Sequence, residues 1–356
     1  MKKAPAISRV YVCHTYYHVY VSFLKELNLP DEERGKADII LSTMTTAFET
    51  IKSRIEESGI FHMVIMFDEK RDVFFPQLAP YMNMTGNQIK IMLGRMKYTK
   101  LFGKLQEPYI PVDFKEYKDI YVYCDSDPIG YYLNYKKIYY HAVEDGLNTL
   151  KHCDAARYRN QRFFKLKVWL SSMNLIFIQN GYGKYCLDME VNDISCLKYT
   201  HKKYVEVPRQ KLVDHLSEEQ KQLLLKVFIE DCDELQRLVT QGDVLLVLTE
   251  PLCDMETREK IFKDIVAQYE GEGTIVFKPH PNDFLDYKSV FPENIVIERR
   301  APMELMNFIP GLMFKKVVAV FTELSGLSFA KEKVRLGPDF MDNYEDPTVH
   351  RYNDNL

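Results

Sequence analysis

Short apolar runs alternate with longer amphipathic runs along most of this 356-residue chain. VYVC at 10–13, ADIILST at 37–43 and IYVYCD at 120–125 have the length and composition of strands, whereas FETIKSRIEES at 48–58 has the spacing of a surface helix. Strands that alternate with helices form right-handed βαβ units, in which the strands are parallel and the helices cover the sheet. The alternation therefore predicts an α/β fold.

The second half of the chain repeats this pattern. Ser217, followed by Glu219 and Gln220, marks the start of a predicted helix that runs to residue 240. The later runs with strand composition are DVLLVLTEP at 243–251, TIVFKPHP at 274–281, NIVIERR at 294–300 and KVVAVFTELSG at 316–326. These runs predict a second α/β unit.

The length of the chain predicts about two domains of roughly 150 residues each. We expect two Rossmann-like domains that face a central cleft, the first over 1–210 and the second over 211–335, because VEVPRQK at 205–211 interrupts the alternation. Residues 336–356 are a C-terminal tail, for which one expectation is a return to the first domain.

Charge and cysteine usage narrow the class of protein. The formal net charge of −4 argues against a dedicated nucleic-acid binder. The seven cysteines are scattered and form no CxxC pair, which fits a reducing compartment. The first residues lack the apolar stretch of a signal peptide, and no run of about 18 apolar residues could span a membrane. These features predict a cytoplasmic protein.

One segment, at 155–180, has an unusual composition. Five basic residues precede a nearly apolar run that contains Trp169. One interpretation is a core helix or a homodimer interface. The other is an interfacial element that lies on anionic lipid, which would place the protein at the inner face of the cell membrane.

Ligands of open α/β sheets bind beyond the carboxyl ends of the strands, so polar residues at those points are candidates. In the first half, Thr15, Tyr16 and His18 follow the opening strand, where hydroxyls and helix amides could bind an anionic group or simply cap the turn. Glu144 and Asp145 follow a Tyr-rich strand and precede Gly146. Adjacent carboxylates raise each other's pKa, which suits one of them to accept a proton, although EDG also fits a surface turn.

Three further candidates lie in the second half. VLTEPLCDMET places Thr249, Glu250 and Asp254 after a strand that is apolar enough to be buried on both faces. VFTELSGLSFA at 320–330 places Thr322, Ser325 and Ser328 after another apolar strand. Hydroxyls at the start of a helix are natural phosphate ligands.

The third candidate is FKPHPND at 277–283. Lys278 precedes Pro279, and His280 precedes Pro281. A following proline keeps each of these residues out of the helical conformation. The stiff segment fixes the direction of an imidazole that could donate a proton or a hydrogen bond to a leaving phosphate. A structural hydrogen bond is the alternative role. The sequence contains no HExxH, G-x-S-x-G or P-loop motif, and nothing in it predicts a metal or a redox cofactor.

The order EDG, then HP, then a Ser/Thr cluster resembles the bacterial sialyltransferases, which have a GT-B fold. CHTYYHVYVSFL at 13–24 and the pair VLTEPL and FKPHPND look like glycosyltransferase family 52. The likeness extends from about residue 10 to residue 330. It implies an inverting enzyme that transfers sialic acid from CMP-sialic acid to a lipooligosaccharide or capsule glycan, without a metal or any other cofactor.

The resemblance also implies roles for residues. His280 would act on the CMP phosphate, and Glu144 would be the base, with Asp254 next and Asp145 also a candidate. Ser325 would bind the phosphate, but Gly326 stands where the family has a second hydroxyl, which Thr322 or Ser328 could replace. The other implied contacts are to the donor, through Lys278, Pro281, Thr249 and Glu250, and to the acceptor, through Thr15, Tyr16, His18 and Gly146.

Two other functions fit the same residues. One is a GT-B transferase with a different donor, such as another nucleotide sugar or a CDP-polyol. The other is an inactive protein that binds a glycan or a nucleotide.

Overall fold

The computed structural model describes residues 7–229, 236–237, 239–240, 242–281, 283–297 and 301–351. The predicted helix at 217–240, the predicted strand at 294–300, the FKPHPND segment and the C-terminal tail therefore lie partly outside the described residues. The chain forms two compact units, which meet in sequence at Leu216 and Ser217. The boundary falls after the predicted one because the short helix Arg209–Asp214 packs against the first helix of the first unit.

The first unit contains a seven-stranded sheet in the order β3-β2-β1-β4-β5-β6-β7. Every neighbouring pair is parallel, as the alternation predicted. Both faces of β1 and β2 are buried, which explains why their sequences are mostly apolar. The strands are β1 (Arg9–Cys13), β2 (Ala37–Ser42), β3 (Met63–Phe67), β4 (Asp119–Tyr123), β5 (Tyr140–Val143), β6 (Cys186–Val191) and β7 (Tyr204–Glu206).

Helices connect most of these strands, and β7 follows β6 without one. The first begins where the Thr15 hydroxyl accepts a hydrogen bond from the amide of His18. The α-helices are α1 (Tyr16–Leu27), α2 (Glu49–Glu57), α3 (Gln88–Gln106), α4 (Pro128–Lys136), α5 (Thr149–His152), α6 (Ala155–Tyr158), α7 (Phe164–Ser172) and α8 (Arg209–Asp214). The 3-10 turns are Asp31–Glu33, Asp72–Phe74, Pro76–Tyr81, Glu107–Tyr109 and Phe114–Glu116.

The strand order of the first sheet reverses between β1 and β4. One crossover leads from β1 to β2 and β3, and the chain then returns to the other side of β1 for β4 and β5. Such a reversal opens a crevice beyond the carboxyl ends of the two central strands. The residues that follow β1, β4 and β5 therefore lie around one crevice.

The second unit contains a five-stranded parallel sheet in the order β10-β9-β8-β11-β12. Its strands are β8 (Val244–Leu248), β9 (Thr274–Lys278), β10 (Ile295–Val296), β11 (Phe314–Ala319) and β12 (Ala330–Arg335). Its helices are α9 (Glu218–Phe228), α10 (Met255–Gln268), α11 (Tyr287–Val290), α12 (Gly337–Met341) and α13 (Pro347–His350), with a 3-10 turn at Met303–Phe308. A capping box of Ser217 and Gln220 confirms the predicted start of α9.

The C-terminal tail packs onto the second unit. Met341 is fully buried in that unit's apolar core, with Phe340 and Tyr344 packed beside it. The expected return to the first domain is therefore wrong for residues 336–351, while 352–356 lie outside the described residues. No helix among the described ranges combines the length and the apolar character that crossing a membrane requires.

Candidate active site

The crevice of the first sheet brings together one histidine and one carboxylate from the predicted set. His18 Nε2 lies 2.8 Å from Asp145 Oδ1 and 2.9 Å from the main-chain oxygen of Asp145. Cys124, which follows β4, donates its thiol hydrogen to the same Asp145 Oδ1 at 2.7 Å. Residues that are 127 positions apart in sequence thus form one polar group at the carboxyl edge of the sheet.

The hydrogen bonds of His18 determine which of its two ring nitrogens carries the proton. The main-chain amide of His14 lies 3.0 Å from His18 Nδ1, and an amide nitrogen can only donate. His18 Nδ1 is therefore an acceptor, so the proton of the neutral ring is on Nε2 and points at Asp145. The ring is fully buried and stacks on Tyr123 with centroids 4.6 Å apart. Burial lowers the pKa of His18 and keeps the ring neutral.

This arrangement keeps Asp145 ionised. Partial burial acts to raise the pKa of Asp145, but the hydrogen bonds from His18 and Cys124 outweigh it and lower the pKa to about 2. Half of the side chain, 51%, remains exposed. Asp145 is therefore a fixed carboxylate that a bound hydroxyl group could reach from the solvent side.

A second cluster in the same crevice surrounds His14. Its Nε2 lies 2.7 Å from Glu69 Oε2 and 3.5 Å from Asp127 Oδ2. Burial acts to lower the pKa of His14, but the carboxylates of Glu69 and Asp127 raise it to about 9, so the ring carries a positive charge at neutral pH. Within the described part of the chain, His14 Nδ1 is buried and has no hydrogen-bond partner.

Sequence reasoning named neither this cluster nor Cys124. Glu69 is held by the Ser42 hydroxyl and the Ile129 amide, both at 2.7 Å. Burial raises the pKa of Asp127 to about 6. Each missed residue follows β1, β3 or β4 within a few positions, so the rule that found His18 could have found it too.

Glu144, the first choice for a catalytic base, has another role in the structure. Its two carboxylate oxygens accept hydrogen bonds from the amides of Leu150 and Asn192, each at 2.9 Å. The residue is buried, and burial raises its pKa. Glu144 therefore fixes the turn that exposes Asp145, and the geometry favours Asp145 as the base.

The remaining acceptor-side predictions differ in placement. Thr15 caps α1 beside His18, and Gly146 follows Asp145 directly, where an added Cβ would lie 2.8 Å from Thr149 Oγ1. Tyr16, by contrast, is buried and donates its hydroxyl hydrogen to the main-chain oxygen of Ala47 at 2.8 Å. The prediction of a sugar contact from Tyr16 is not supported by this placement.

His280 lies in the second unit, exposed beyond the carboxyl end of β9. Its amide donates to Thr249 Oγ1 at 3.1 Å, and its main-chain oxygen accepts from the amide of Asp283 at 2.9 Å. Asp283 is fully buried and also accepts from Thr249 Oγ1 at 2.6 Å and from Arg258 Nη1 at 2.8 Å. Thr249 and Asp283, the latter not predicted, therefore hold the loop that presents His280.

Three of the predicted donor contacts, Thr249, Glu250 and Lys278, are buried, whereas Thr322 is half-buried. Glu250 accepts hydrogen bonds from the amides of Phe321 at 3.0 Å and Thr322 at 2.6 Å, and from the Thr322 hydroxyl. Glu250 and Thr322 are thus hydrogen-bonded to each other, and this contact fixes the residues that follow β11. Lys278 is buried below the His280 loop, and Pro281 is half-buried.

The Ser/Thr loop after β11 exposes both Ser325 and Ser328. Ser325 is exposed, and its main-chain oxygen accepts from Lys333 Nζ at 3.2 Å. Ser328 donates its hydroxyl to Asn307 Oδ1 at 2.8 Å, and Asn307 in turn donates to the main-chain oxygen of Gly326 at 3.1 Å. Ser325 therefore fits the predicted phosphate contact better than Ser328 does.

Asp254, the second choice for a base, caps α10. Its two oxygens accept from the amide and the hydroxyl of Thr257, both at 2.9 Å. These hydrogen bonds lower the pKa of Asp254, which is exposed to solvent. A helix cap accounts for this carboxylate, so the geometry does not single it out as a base.

Three ligand-type atoms in the first crevice lie close enough to hold a metal ion. They belong to His18, Cys124 and Asp145 and are all within 4.8 Å of one another. A metal would need the lone pair of His18 Nε2 and a Cys124 thiolate. His18 Nε2 instead carries a hydrogen, and burial raises the pKa of the Cys124 thiol well above its usual range. These groups fit a hydrogen-bonded site better than a metal site.

Comparison with known proteins places these features in a wider group. The family model of glycosyltransferase family 52 matches residues 38–334. An uncharacterized protein of Haemophilus influenzae is 30% identical over 123 residues, a match that covers 33% of this chain and 39% of that protein.

Two crystal structures have a similar fold. One is an α/β-galactoside α-2,3-sialyltransferase of Photobacterium phosphoreum, with a TM-score of 0.52, 12% identity and coverage of 92% of this chain and 89% of that one. The other is a 2,6-sialyltransferase of Photobacterium sp. JT-ISH-224, with a TM-score of 0.56, 10% identity and coverage of 92% and 71%. The likeness confirms the predicted GT-B fold class.

Proposed function

Because the chain belongs to glycosyltransferase family 52, we propose that it is an inverting, metal-independent sialyltransferase. Its donor would be CMP-sialic acid, and its acceptor a hydroxyl of a cell-surface glycan of the lipooligosaccharide or capsule type. The observation that carries this proposal is Asp145, an ionised and half-exposed carboxylate held by a neutral histidine at the crevice of the first sheet. The two similar crystal structures are of sialyltransferases, one of them solved with CMP and lactose, which supports the choice of donor.

Asp145 would act as the general base. An acceptor hydroxyl has a pKa far above neutrality, so its attack on the anomeric carbon needs a group that removes the proton. Asp145 accepts that proton while the hydroxyl oxygen forms its bond to the anomeric carbon. A bound acceptor covers the exposed side of the carboxylate, and this loss of solvent raises its pKa in the complex. A single in-line displacement of this kind inverts the anomeric centre.

His280 would assist the leaving group. The bond between the anomeric carbon and the CMP phosphate oxygen breaks, and that oxygen gains negative charge. An imidazole at the end of a rigid loop can donate a hydrogen bond or a proton to it. The exposed hydroxyl of Ser325 is the second candidate to contact the phosphate. We place the reaction in the cytoplasm, a choice supported by the six cysteines within the described ranges, all of which are free thiols.

The donor and the base are tested together. Purified protein is incubated with lactose and, in separate reactions, CMP-sialic acid, a UDP-sugar and CDP-glycerol, and products are measured by mass spectrometry. We expect sialyl-lactose and CMP from the first donor only. Asp145→Asn should lower kcat by about 10²–10⁴-fold, the usual size of a general-base contribution.

The matched control is Glu144→Gln, which changes the neighbouring carboxylate in the same way. If Asp145 is the base, a folded Glu144→Gln enzyme keeps most of its kcat. Release of CMP from CDP-glycerol alone would contradict the proposed donor. Unchanged turnover in Asp145→Asn with the expected donor would contradict the proposed base only.

A further inference from the structure

The connection between β11 and β12 is short. It consists of residues 320–329, all of them described, and it contains no helix. Because β11 and β12 are parallel, the chain must return from the carboxyl end of β11 to the amino end of β12 across one face of the sheet. We call this segment the β11–β12 crossover. It carries Ser325, the exposed serine for which a phosphate contact was predicted.

Carboxylates of the same unit use the main-chain amides of this crossover. The buried Glu250 accepts from the amides of Phe321 at 3.0 Å and Thr322 at 2.6 Å. Glu323 Oε1 accepts from the amide of Ser325 at 3.0 Å. Backbone amides of such loops are the usual ligands of phosphate groups, but these amides are already hydrogen-bonded to negative groups. An anion bound at Ser325 therefore needs positive charge from side chains.

Strand β12 supplies positive side chains on one of its faces. Successive residues of a strand point to opposite faces, so Lys331, Lys333 and Arg335 share a face. Glu332 belongs to the other face, where Lys316 Nζ lies 3.4 Å from Glu332 Oε2. All three cations are exposed. This face of β12 is therefore uniformly positive.

Two of these cations are hydrogen-bonded to the crossover. Lys333 Nζ donates to the main-chain oxygen of Ser325 at 3.2 Å. Arg335 Nε donates to the main-chain oxygen of Phe321 at 3.0 Å. Burial raises the pKa of Glu250, and the charge of Arg335 opposes that rise. The positive face of β12 is thus the face on which the crossover runs, and its charge extends to the carboxyl end of the sheet.

Protection of a sheet edge is the other explanation for the charges of β12. This strand lies at the edge of its sheet, and lysines on edge strands prevent pairing with another chain. Edge protection requires charge along the strand but no contact with a loop. Lys331, at the start of the strand, fits that explanation. Lys333 and Arg335 instead contact both ends of the segment 321–325.

We propose that Lys333 and Arg335 bind the phosphate of a nucleotide at Ser325. Hydrogen bonds from an ammonium or a guanidinium to a phosphate are about twice as strong as those between neutral groups. The two positive charges also offset the repulsion that the neighbouring carboxylates would exert on an anion. The identity of the nucleotide, CMP, rests on the proposed function, but the binding of a phosphate does not.

Binding without transfer tests this site. Dissociation constants of the purified protein are measured by ligand-detected NMR for CMP, for UDP and for cytidine, which is CMP without its phosphate. Lys333→Met and Arg335→Met should each weaken CMP binding about tenfold, as expected when a charge-assisted hydrogen bond is lost. Neither variant should change cytidine binding. Lys331→Met, two positions earlier on the same face, is the matched control and should bind CMP normally.

Salt and a charge-preserving variant separate an effect of charge from an effect of shape. CMP binding should weaken as the ionic strength rises, because exposed charges are screened, and this dependence should be smaller in Lys333→Met. Lys333→Arg keeps the charge and should recover most of the affinity. In the lactose assay, Lys333→Met should raise KM for CMP-sialic acid more than it lowers kcat. Circular dichroism shows whether each variant is folded.

The outcomes distinguish this proposal from the proposed function. Equal weakening of CMP and cytidine binding in Lys333→Met would limit Lys333 to holding the crossover in shape. Unchanged CMP affinity in both variants would remove the two cations from donor binding, while sialic acid transfer to lactose would still support the sialyltransferase. Binding of UDP instead of CMP, weakened by the same two variants, would support the phosphate site and contradict the proposed donor.

Discussion

The pairing of His18 with Asp145 is the feature of single residues that most affects the proposed chemistry. The direction of one backbone amide, that of His14, determines which nitrogen of His18 carries hydrogen. That hydrogen in turn keeps the Asp145 carboxylate ionised. A hydrogen bond made by the backbone therefore controls the charge of the candidate base.

The variant His18→Phe tests this control. Phe can keep the stacking on Tyr123 but cannot donate to Asp145, so the pKa of Asp145 should rise from about 2 towards its ordinary value. A base works only when deprotonated, so the acid side of the kcat/KM profile should move to higher pH. His62→Phe, which removes a histidine paired with Asp38 instead, is the control. Identical acid limbs in His18→Phe and the unchanged protein would disprove the coupling.

His280 is tested by truncation. His280→Ala should lower kcat at least 10²-fold, because the departing phosphate would lose its proton or hydrogen-bond donor. The side chain is exposed, so unfolding by urea should be nearly unchanged. An unaltered kcat would remove His280 from the mechanism.

The sequence could locate His18, Asp145 and His280 because an apolar strand shows where its carboxyl end lies. It placed Glu144 first, ahead of Asp254 and Asp145, because adjacent residues in extended backbone point to opposite sides and the pattern does not reveal which side holds the amides. Glu69 follows the end of β3, so the same rule could have found it. What the sequence could not show is its pairing with His14, which is 55 positions away.

Among the elements, the ends of β8 and β9 show how the sheet holds the loop that contains His280. The Thr249 hydroxyl accepts from the His280 amide and donates to buried Asp283, so one side chain connects two strand ends. The prolines of FKPHPND were predicted to stiffen this segment. The structure adds a buried charged pair, Asp283 with Arg258, beneath it.

Thr249→Val keeps the shape of the side chain and removes both hydrogen bonds. We expect a loss of about 1–3 kcal/mol in the free energy of unfolding, because the buried Asp283 oxygen and the His280 amide lose a partner. The displaced imidazole should lower kcat more than it changes KM for the acceptor. Thr257→Val, in the exposed cap of α10, is the matched control and should leave kcat unchanged. A normal kcat in a destabilised Thr249→Val protein would limit the network to a structural role.

Strand composition explains which elements could be predicted. β1, β2, β8 and β9 are apolar because the sheet buries them, and all four were predicted. β12, AKEKVR, lies at a sheet edge and is mostly exposed, so its sequence resembles that of a charged loop. β6 contains Asp188 and Glu190, which obscured its strand pattern.

At the scale of the whole molecule, the buried charge of His14 makes stability depend on pH. Its pKa is about 9 in the folded protein, above the ordinary value for an unfolded chain. The stabilisation is therefore fully present below about pH 6.5 and is lost as the pH rises through 9. In urea unfolding, the free energy of unfolding should fall by about a few kcal/mol as the pH rises across this range.

His14→Gln provides the comparison. Gln cannot carry the charge, so the protein should be less stable at pH 6 and should lose less stability between pH 6 and 9. Burial raises the pKa of Asp125 and Asp127 to about 6, at the lower edge of this window, so the slopes of the two proteins are compared above pH 7. Equal slopes in the two proteins would show that His14 does not carry the effect.

Each half of the polypeptide fixes its own candidate catalytic group through contacts from the same half. Asp145 depends on His18, Cys124 and the amide of His14, all encoded before Leu216, and His280 depends on Thr249 and Asp283, encoded after Ser217. Mutation in one half therefore leaves the local chemistry of the other half intact. Over evolutionary time, the gene segments for the two halves could diverge, or be exchanged between relatives by recombination at this junction, without rebuilding either reactive group.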